Sequence, residues 1–205
     1  MKTITFNNLT VDIHDGPIGI IMSGGADSSL LFYILMKHAP GPIHVFSCAN
    51  GKTNNREPYG ALNVINRCIE LTGRKDLFFY SYWVDHKLWD NMISREVVKR
   101  ADVNVVYGGF TRPPPEGAIV DFDTDAAYGA VETPGLVSPY YYENDRLYYP
   151  FANINKKGVA ELYKELDIEE LYSYTRSCES LTLTTGHCGN CWWCKERVWG
   201  FGRLE

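Results

Sequence analysis

Ile18-Gly-Ile-Ile-Met22, then Ser23-Gly-Gly-Ala-Asp-Ser-Ser29, then Leu30-Leu-Phe-Tyr-Ile-Leu-Met-Lys-His-Ala39 is the stretch whose reading decides the fold. The first five residues are an Ile-rich apolar run bounded by Pro17 and Ser23, the pattern of a strand buried in a parallel sheet. The last ten have helical length and stop at the breaker Pro40-Gly-Pro42. Between them lies a glycine-containing turn. Its glycines let backbone N–H groups come close to an anion, and the helix N-terminus adds the positive end of a dipole. Ser28 and Ser29 can add hydroxyl donors. Asp27 is a poor direct partner for phosphate, so it acts through a Mg²⁺ ion or orders the loop. No Lys follows, which excludes the GxxxxGK[ST] loop, and no GxGxxG fingerprint occurs here. An N-cap without ligand would use the same residue types. The position between a buried strand and an apolar helix favours ATP phosphates.

Outward from this stretch the pattern alternates. Residues 3–13 read as two short strands around Asn7 and Asn8, an edge hairpin. Strands at 43–49, 77–84 and 103–107 alternate with helices at 58–71, closed by Gly73, and at 89–100. Such alternation predicts βαβ units and a parallel sheet. In such a sheet the ligand lies outside the carboxyl ends of the strands. The backbone of Ser47, Cys48 and Ala49, ending the second core strand, is therefore a candidate for reading the adenine edge; ordinary strand packing is the alternative. From 108 to 149 periodicity dissolves into Pro, Gly, Asp and Tyr, which reads as a substrate loop or lid. A helix at 156–166 and a short tail from Val198 complete the chain.

The 205 residues suit one domain, and 45% apolar with 22% charged residues fits a packed globule. A net charge of −5 argues against a broad basic face for nucleic acid. The run 18–22 is too short to span a bilayer, and the opening MKTITFNNLTVDIHDG lacks an apolar signal-peptide core, so the expectation is a cytoplasmic protein with no membrane partner. Four of six cysteines fall in the last thirty residues as C-x9-C-G-x-C-x2-C: Cys178, Cys188, Cys191 and Cys194. Four thiolates suit tetrahedral zinc, and a closed sulfur shell makes that metal structural. His187 could replace one sulfur. The rival reading is a redox pair at Cys191-Trp-Trp-Cys194, which leaves two further cysteines without a role. Cys48 and Cys68 read as buried apolar residues.

Residues 23–29 match the SGGxDS signature of the PP-loop ATP-pyrophosphatase superfamily, which resembles this chain in setting that loop between strand and helix. The resemblance implies an α/β, parallel-sheet, Rossmann-like domain of the adenine nucleotide alpha hydrolase type over residues 1–177, with a C-terminal zinc knuckle over 178–205. It also implies ATP bound by Ser23, Gly24, Gly25, Ala26, Asp27, Ser28 and Ser29. Downstream, Ser177, Cys178, Cys188, Gly189, Cys191, Cys194 and Arg197 resemble the C-terminal pattern of 7-cyano-7-deazaguanine synthase. Pro150-Phe-Ala-Asn-Ile-Asn-Lys156 resembles that family's P-[LF]-x-x-[LI]-x-K segment, and Gly51 and Glu57 fall at the spacing of its YGQxHxxE stretch. The resemblance implies ATP-dependent adenylation of a carboxylate on a deazapurine-like base, ammonia displacing AMP, and a second activation giving the nitrile. Asp27, Ser28 and Lys156 are then the catalytic candidates; a solvated Lys at a helix start is the alternative for Lys156.

Departures are specific. Gly108-Gly-Phe-Thr-Arg-Pro-Pro-Pro115 stands where that family carries GxNxxDxSGYPDC, and Lys52 and Asn54 replace its Gln and His. The activation chemistry therefore carries over better than the substrate. Asp121, Asp123 and Asp125 could hold Mg²⁺ or form a solvated loop. Arg112 could meet a phosphate or carboxylate or lie on the surface. Tyr140 to Tyr142, Tyr148 and Tyr149 could stack on a heterocycle, pack a lid or form a homodimer surface. Two other functions remain open: a tRNA-thiolating PP-loop enzyme, and a nucleotide-binding module without catalysis.

Overall fold

The fold is taken from a computed structural model, which describes residues 1–7, 9–50, 57–84, 99, 102–119, 140–142, 146–178 and 186–205. The expected helix at 89–100, the acidic run at Asp121, Asp123 and Asp125, the pair Lys52 and Asn54, Gly51, and most of the expected lid lie outside the described residues.

The strands are β1 (Lys2–Phe6), β2 (Leu9–Ile13), β3 (Ile18–Ile21), β4 (Ile43–Asn50), β5 (Leu77–Val84), β6 (Val105–Gly108), β7 (Tyr140–Tyr142) and β8 (Leu147–Tyr149). The helices are α1 (Ala26–His38), α2 (Glu57–Thr72), α3 (Lys156–Glu165), α4 (Glu169–Tyr172) and α5 (Trp192–Phe201). Among the described residues one sheet runs in the order β5-β4-β3-β6-β8-β7. The first five of these strands are parallel, and β7 closes the edge antiparallel to β8. This is the α/β arrangement with a parallel sheet that the strand and helix alternation predicts, and it fits the Rossmann-like domain that the resemblance implies.

Three details differ from expectation. The segment 108–149 is not wholly irregular, because Tyr140–Tyr142 and Leu147–Tyr149 pair as strands. These three-residue strands are too short to show a period-2 pattern. The edge hairpin forms its own two-stranded sheet, β1-β2, rather than extending the main one. Its residues Val11 and Ile13 are fully buried, and it is tied to the main sheet by tyrosine hydroxyls. Tyr148 receives the Asp12 N–H at 3.1 Å, while Tyr107 receives the His14 N–H at 3.0 Å and donates to the Asp12 carbonyl at 2.8 Å. Finally, residues from Val198 continue a helix to Phe201, which stops at left-handed Gly202 (φ 73°).

Side chains alternate across the sheet. Ile18, Ile20, Val45, Val105, Tyr107 and Tyr148 face the core shared with α1, α2 and α3. Phe46, Val106 and Leu147 face the other way. Helix α1 is apolar around most of its circumference, and it is buried from Ser28 to Met36. Cys48 and Cys68 are buried, and burial pushes the Cys68 thiol up to about 12. No helix among the described residues is long and apolar enough to cross a membrane.

After β3 the chain moves to β4 and β5 on one side, then returns to β6 on the other, so the strand order reverses between β3 and β6. A crevice opens at such a switch point, outside the strands' carboxyl ends. Here the end of β6 comes into backbone contact with α1. A Cβ on Gly109 would lie 2.7 Å from the Ser28 nitrogen and 2.8 Å from its Cα. Gly109→Ala is therefore expected to destabilise the fold by about 1–3 kcal/mol through overpacking against a helix backbone that cannot retreat. Urea unfolding checks this, and an unchanged midpoint would contradict the close approach.

Candidate functional site

The loop after β3 is shorter than the sequence suggests, because α1 begins at Ala26 and takes in Asp27, Ser28 and Ser29. Gly25 is the extended N-cap (φ −75°, ψ 167°), and Asp27 sits in the first turn, where its charge suits the dipole. The Ser29 N–H makes the first helical bond, to the Gly25 carbonyl at 3.0 Å. By helix geometry the N–H groups of Ala26, Asp27 and Ser28 have no intrahelical acceptor. They lie beside the end of β6, where Gly109 approaches the Ser28 nitrogen, and N–H groups left over at a helix N-terminus are an arrangement that binds anions.

The rest of the loop is held from several directions. Gly24 has φ +79°, and a Cβ there would lie 2.5 Å from the Gly60 carbonyl carbon of α2. Only glycine satisfies both the left-handed backbone and the contact. The Gly24 carbonyl accepts the Arg176 N–H at 2.8 Å. The Gly25 carbonyl accepts the Ser29 hydroxyl at 2.7 Å and the Ser28 hydroxyl at 3.2 Å. Ser23 Oγ receives the Gly25 N–H at 3.2 Å and lies 3.1 Å from Ser28 Oγ. The Tyr163 hydroxyl fixes the helix start from below by donating to the Ala26 carbonyl at 2.9 Å. Ser29 is fully buried, so its hydroxyl orders the loop.

Lys156 is not a solvated lysine. It is the first residue of α3, whose N-cap Asn155 accepts the N–H groups of Lys157 and Gly158. Its side chain runs inward, the residue is 3% exposed, and its ammonium pairs with Asp27 Oδ2. Glu196 Oε2 of α5 lies 3.3 Å from the same nitrogen, and Glu196 is 1% exposed. Burial alone would push the lysine pKa down, but the charges of Asp27 and Glu196 outweigh it and hold the pKa above its ordinary value. Lys156 is therefore charged at neutral pH. The other Asp27 oxygen, Oδ1, is buried without a hydrogen-bond partner. A lone buried carboxylate oxygen beside a glycine loop and a helix N-terminus fits a Mg²⁺ ligand.

Strand β4 runs to Asn50, whereas β3 ends at Ile21, so Ser47, Cys48 and Ala49 overhang their neighbour. All three are buried, and Ser47 Oγ has no hydrogen-bond partner. Other candidates fall elsewhere. Arg112 is exposed, and its guanidinium donates to Asn153 at 2.8 Å. Tyr148 is a core residue, and Tyr149 packs its ring over Gly108.

The four candidate cysteines meet. The sulfurs of Cys178, Cys188, Cys191 and Cys194 all lie within 4.8 Å of one another, and those of Cys188 and Cys194 are 3.9 Å apart. Tetrahedral zinc–sulfur bonds of 2.3 Å would set neighbouring sulfurs about 3.8 Å apart, so the cluster could hold such an ion. Gly186 and Gly189 turn in the left-handed region and bring backbone N–H groups onto sulfur. Cys178 Sγ receives the Cys188 N–H at 3.3 Å, and Cys188 Sγ receives those of Cys191 and Asn190 at 3.3 and 3.4 Å. For Cys188, burial alone would raise the pKa, but the Asn190 and Cys191 N–H groups outweigh it and bring the thiol down to about 6. His187 sits beside the cluster, with Nδ1 3.9 Å from Cys194 Sγ. Burial, then Arg197 and Arg176, lower its pKa to about 4, so the ring is neutral.

Sequence reasoning did not find Glu196, Gly109 or Gly200, which complete the site from distant elements. The one signal available was Arg197 in the cysteine pattern. Arg197 is fully buried, with its guanidinium carbon 4.0 Å from the Tyr172 ring centroid. It donates to the Thr175 hydroxyl at 2.8 Å and to the Leu204 carbonyl at 3.0 and 3.1 Å. It thereby braces the 172–178 segment, which touches the loop through Arg176.

A family model described as asparagine synthase matches residues 11–68, from β2 through the glycine loop after β3 into α2. The match supports a PP-loop ATP-pyrophosphatase type of nucleotide site over less than a third of the chain. No curated protein matches. Similar solved structures include NMN synthetase from Francisella tularensis, 14% identical with a TM-score of 0.41 over 76% of this chain and 63% of that one. Another is NH3-dependent NAD synthetase from Campylobacter jejuni, 13% identical with a TM-score of 0.43 over 76% of this chain and 66% of that one. The chain thus spans slightly under two thirds of each.

Metal analysis of purified protein is expected to give one zinc ion per chain. Cys188→Ser should weaken zinc binding at least about tenfold, while Cys68→Ala leaves the stoichiometry at one. Equal zinc retention by Cys188→Ser would contradict the four-sulfur site.

Proposed function

We infer that this protein is an AMP- and pyrophosphate-forming ATP-dependent C–N ligase that adenylates a carboxylate on a deazapurine-like base and then admits ammonia, as in the conversion of 7-carboxy-7-deazaguanine to its nitrile. The observation that carries the reading is the pairing of buried Lys156 with half-buried Asp27 in the first turn of α1, with Asp27 Oδ1 unpartnered. The resemblance of the C-terminal cysteine pattern and the 150–156 segment to 7-cyano-7-deazaguanine synthase supports a deazapurine substrate.

The N–H groups of Ala26, Asp27 and Ser28 hold the β,γ-phosphates of ATP, and the overhang of β4 at Ser47 to Ala49 receives the adenine. Substrate carboxylate oxygen attacks the α-phosphorus and the bond to the bridging oxygen breaks. Pyrophosphate leaves with an added negative charge. Lys156, already charged and desolvated, stabilises that charge without reorganising. Mg²⁺ held by Asp27 supplies further charge neutralisation when bound. Ammonia then attacks the acyl carbon, AMP departs, and a proton is released, leaving the amide. A second ATP activates the amide oxygen with release of pyrophosphate, and loss of AMP and of both N–H protons gives the nitrile, a net removal of water from the amide. A cavity of about 670 Å³ next to Gly60 and Arg176, which both touch Gly24, is lined also by Tyr59, Tyr174, His187 and Glu205 and offers flat rings for a heterocycle. The zinc held by the four cysteines is structural in this reading.

ATP/pyrophosphate exchange that depends on 7-carboxy-7-deazaguanine, followed with ammonia by mass spectrometry of the base, tests the proposal. Asp27→Ala should lower exchange by about 10²-fold or more with zinc content unchanged. Two results would overturn the assignment: ATP binding with no AMP release across candidate acids, and retention of tRNA at moderate salt.

A further inference from the structure

Helix α5 begins at the cysteine cluster, with Cys191 as its N-cap and Cys194 in its first turn, and it packs along α3. One turn further on, Glu196 and Gly200 stand four residues apart and so share a face. That face meets Lys156. Glu196 approaches the ammonium at 3.3 Å. A Cβ on Gly200 would lie 2.4 Å from Lys156 Cγ, 2.7 Å from its Cβ and 3.0 Å from its backbone carbon. The backbone of Gly200 is not left-handed, and glycine in a helix interior is normally destabilising relative to alanine. Its presence is explained by the lysine stem lying against the helix. Next to it, Lys157 caps the Trp199 ring, with Nζ 4.8 Å from the centroid.

We propose that this face of α5 is a seat for Lys156 and that Glu196 is a positioning residue, holding the lysine ammonium at the phosphate loop and dividing it between two carboxylates. The role rests on the ATP reading given above. Without Glu196 the ammonium has Asp27 as its one remaining carboxylate partner among the described residues, and Asp27 is drawn into that pair and away from the nucleotide's cation. The cysteine knuckle thus acts on the phosphate loop through one helix and one lysine.

Three variants test this: Glu196→Leu, Glu196→Gln and Gly200→Ala. In the zinc-loaded protein without nucleotide, acetylation of Lys156 by acetic anhydride is followed by peptide mass spectrometry. Lys156 should react slowly in the wild type, at least tenfold faster in Glu196→Leu and Gly200→Ala, and within about threefold of wild type in Glu196→Gln, which keeps an acceptor oxygen. Calorimetry with α,β-methylene-ATP and Mg²⁺ should show binding weakened at least tenfold in Glu196→Leu and Gly200→Ala and restored in Glu196→Gln, with one zinc per chain throughout. Wild-type rates of acetylation and wild-type nucleotide affinity in both Glu196→Leu and Gly200→Ala would overturn the seat. A wild type that fails to bind the nucleotide while the acetylation pattern holds would support the seat and overturn the ATP reading instead.

Discussion

A lysine ammonium taken out of water must be met by charge of the opposite sign, and in this protein that requirement ties together parts far apart in sequence. Lys156 starts α3, Asp27 belongs to the first turn of α1, and Glu196 lies in α5 behind the cysteines. One cation with two carboxylates leaves a net negative charge, and one oxygen of Asp27 is without a partner. Such a buried group is a weak source of net stability, because desolvation cancels much of the attraction. It is a strong constraint on geometry. The first turns of α1 and α3 and the middle of α5 have to bring these three side chains together at one point, beside the glycine loop that follows β3.

The loop is also shaped by absent side chains. Gly24 meets Gly60 of α2, Gly109 meets the backbone of Ser28, and Gly200 meets the stem of Lys156. At each place two backbones, or a backbone and a lysine, come closer than a methyl group permits. Loop and surroundings therefore form one packed unit from β6 to α5. The guanidinium of Arg197, stacked on Tyr172 and bonded to Thr175 and Leu204, holds the last segment of that unit.

Much of this was legible in the sequence because its signals are local. An Ile-rich run, a glycine turn and an apolar helix follow one another within 22 residues, and the four cysteines declare themselves by spacing. The cluster came together as the spacing predicts. Less legible features depend on contacts across the chain. The start of α1 at Ala26 was hidden because Asp27, Ser28 and Ser29 suit a turn as well as a first helical turn. Helix α5 past Val198 was hidden because its buried positions include Glu196 and Arg197, which break any apolar stripe. The burial of Lys156 cannot be read locally at all, since its partners are 129 and 40 positions away. Tyr148, for which the sequence left stacking, lid packing and a dimer surface open, serves as a hydroxyl post for the N-terminal hairpin.

The way the loop disposes of its own oxygens has a further consequence. The Gly24 carbonyl is engaged by Arg176, and that of Gly25 is turned back into α1. With those lone pairs withdrawn, the rim between β3 and α1 is lined by hydrogen-bearing nitrogen at its helical end. An opening of that kind discriminates by polarity before it discriminates by shape. Apart from the Asp27 carboxylate, which can take a cation beside it, that end gives water a poor welcome as a donor and is electrically satisfied by a guest rich in oxygen.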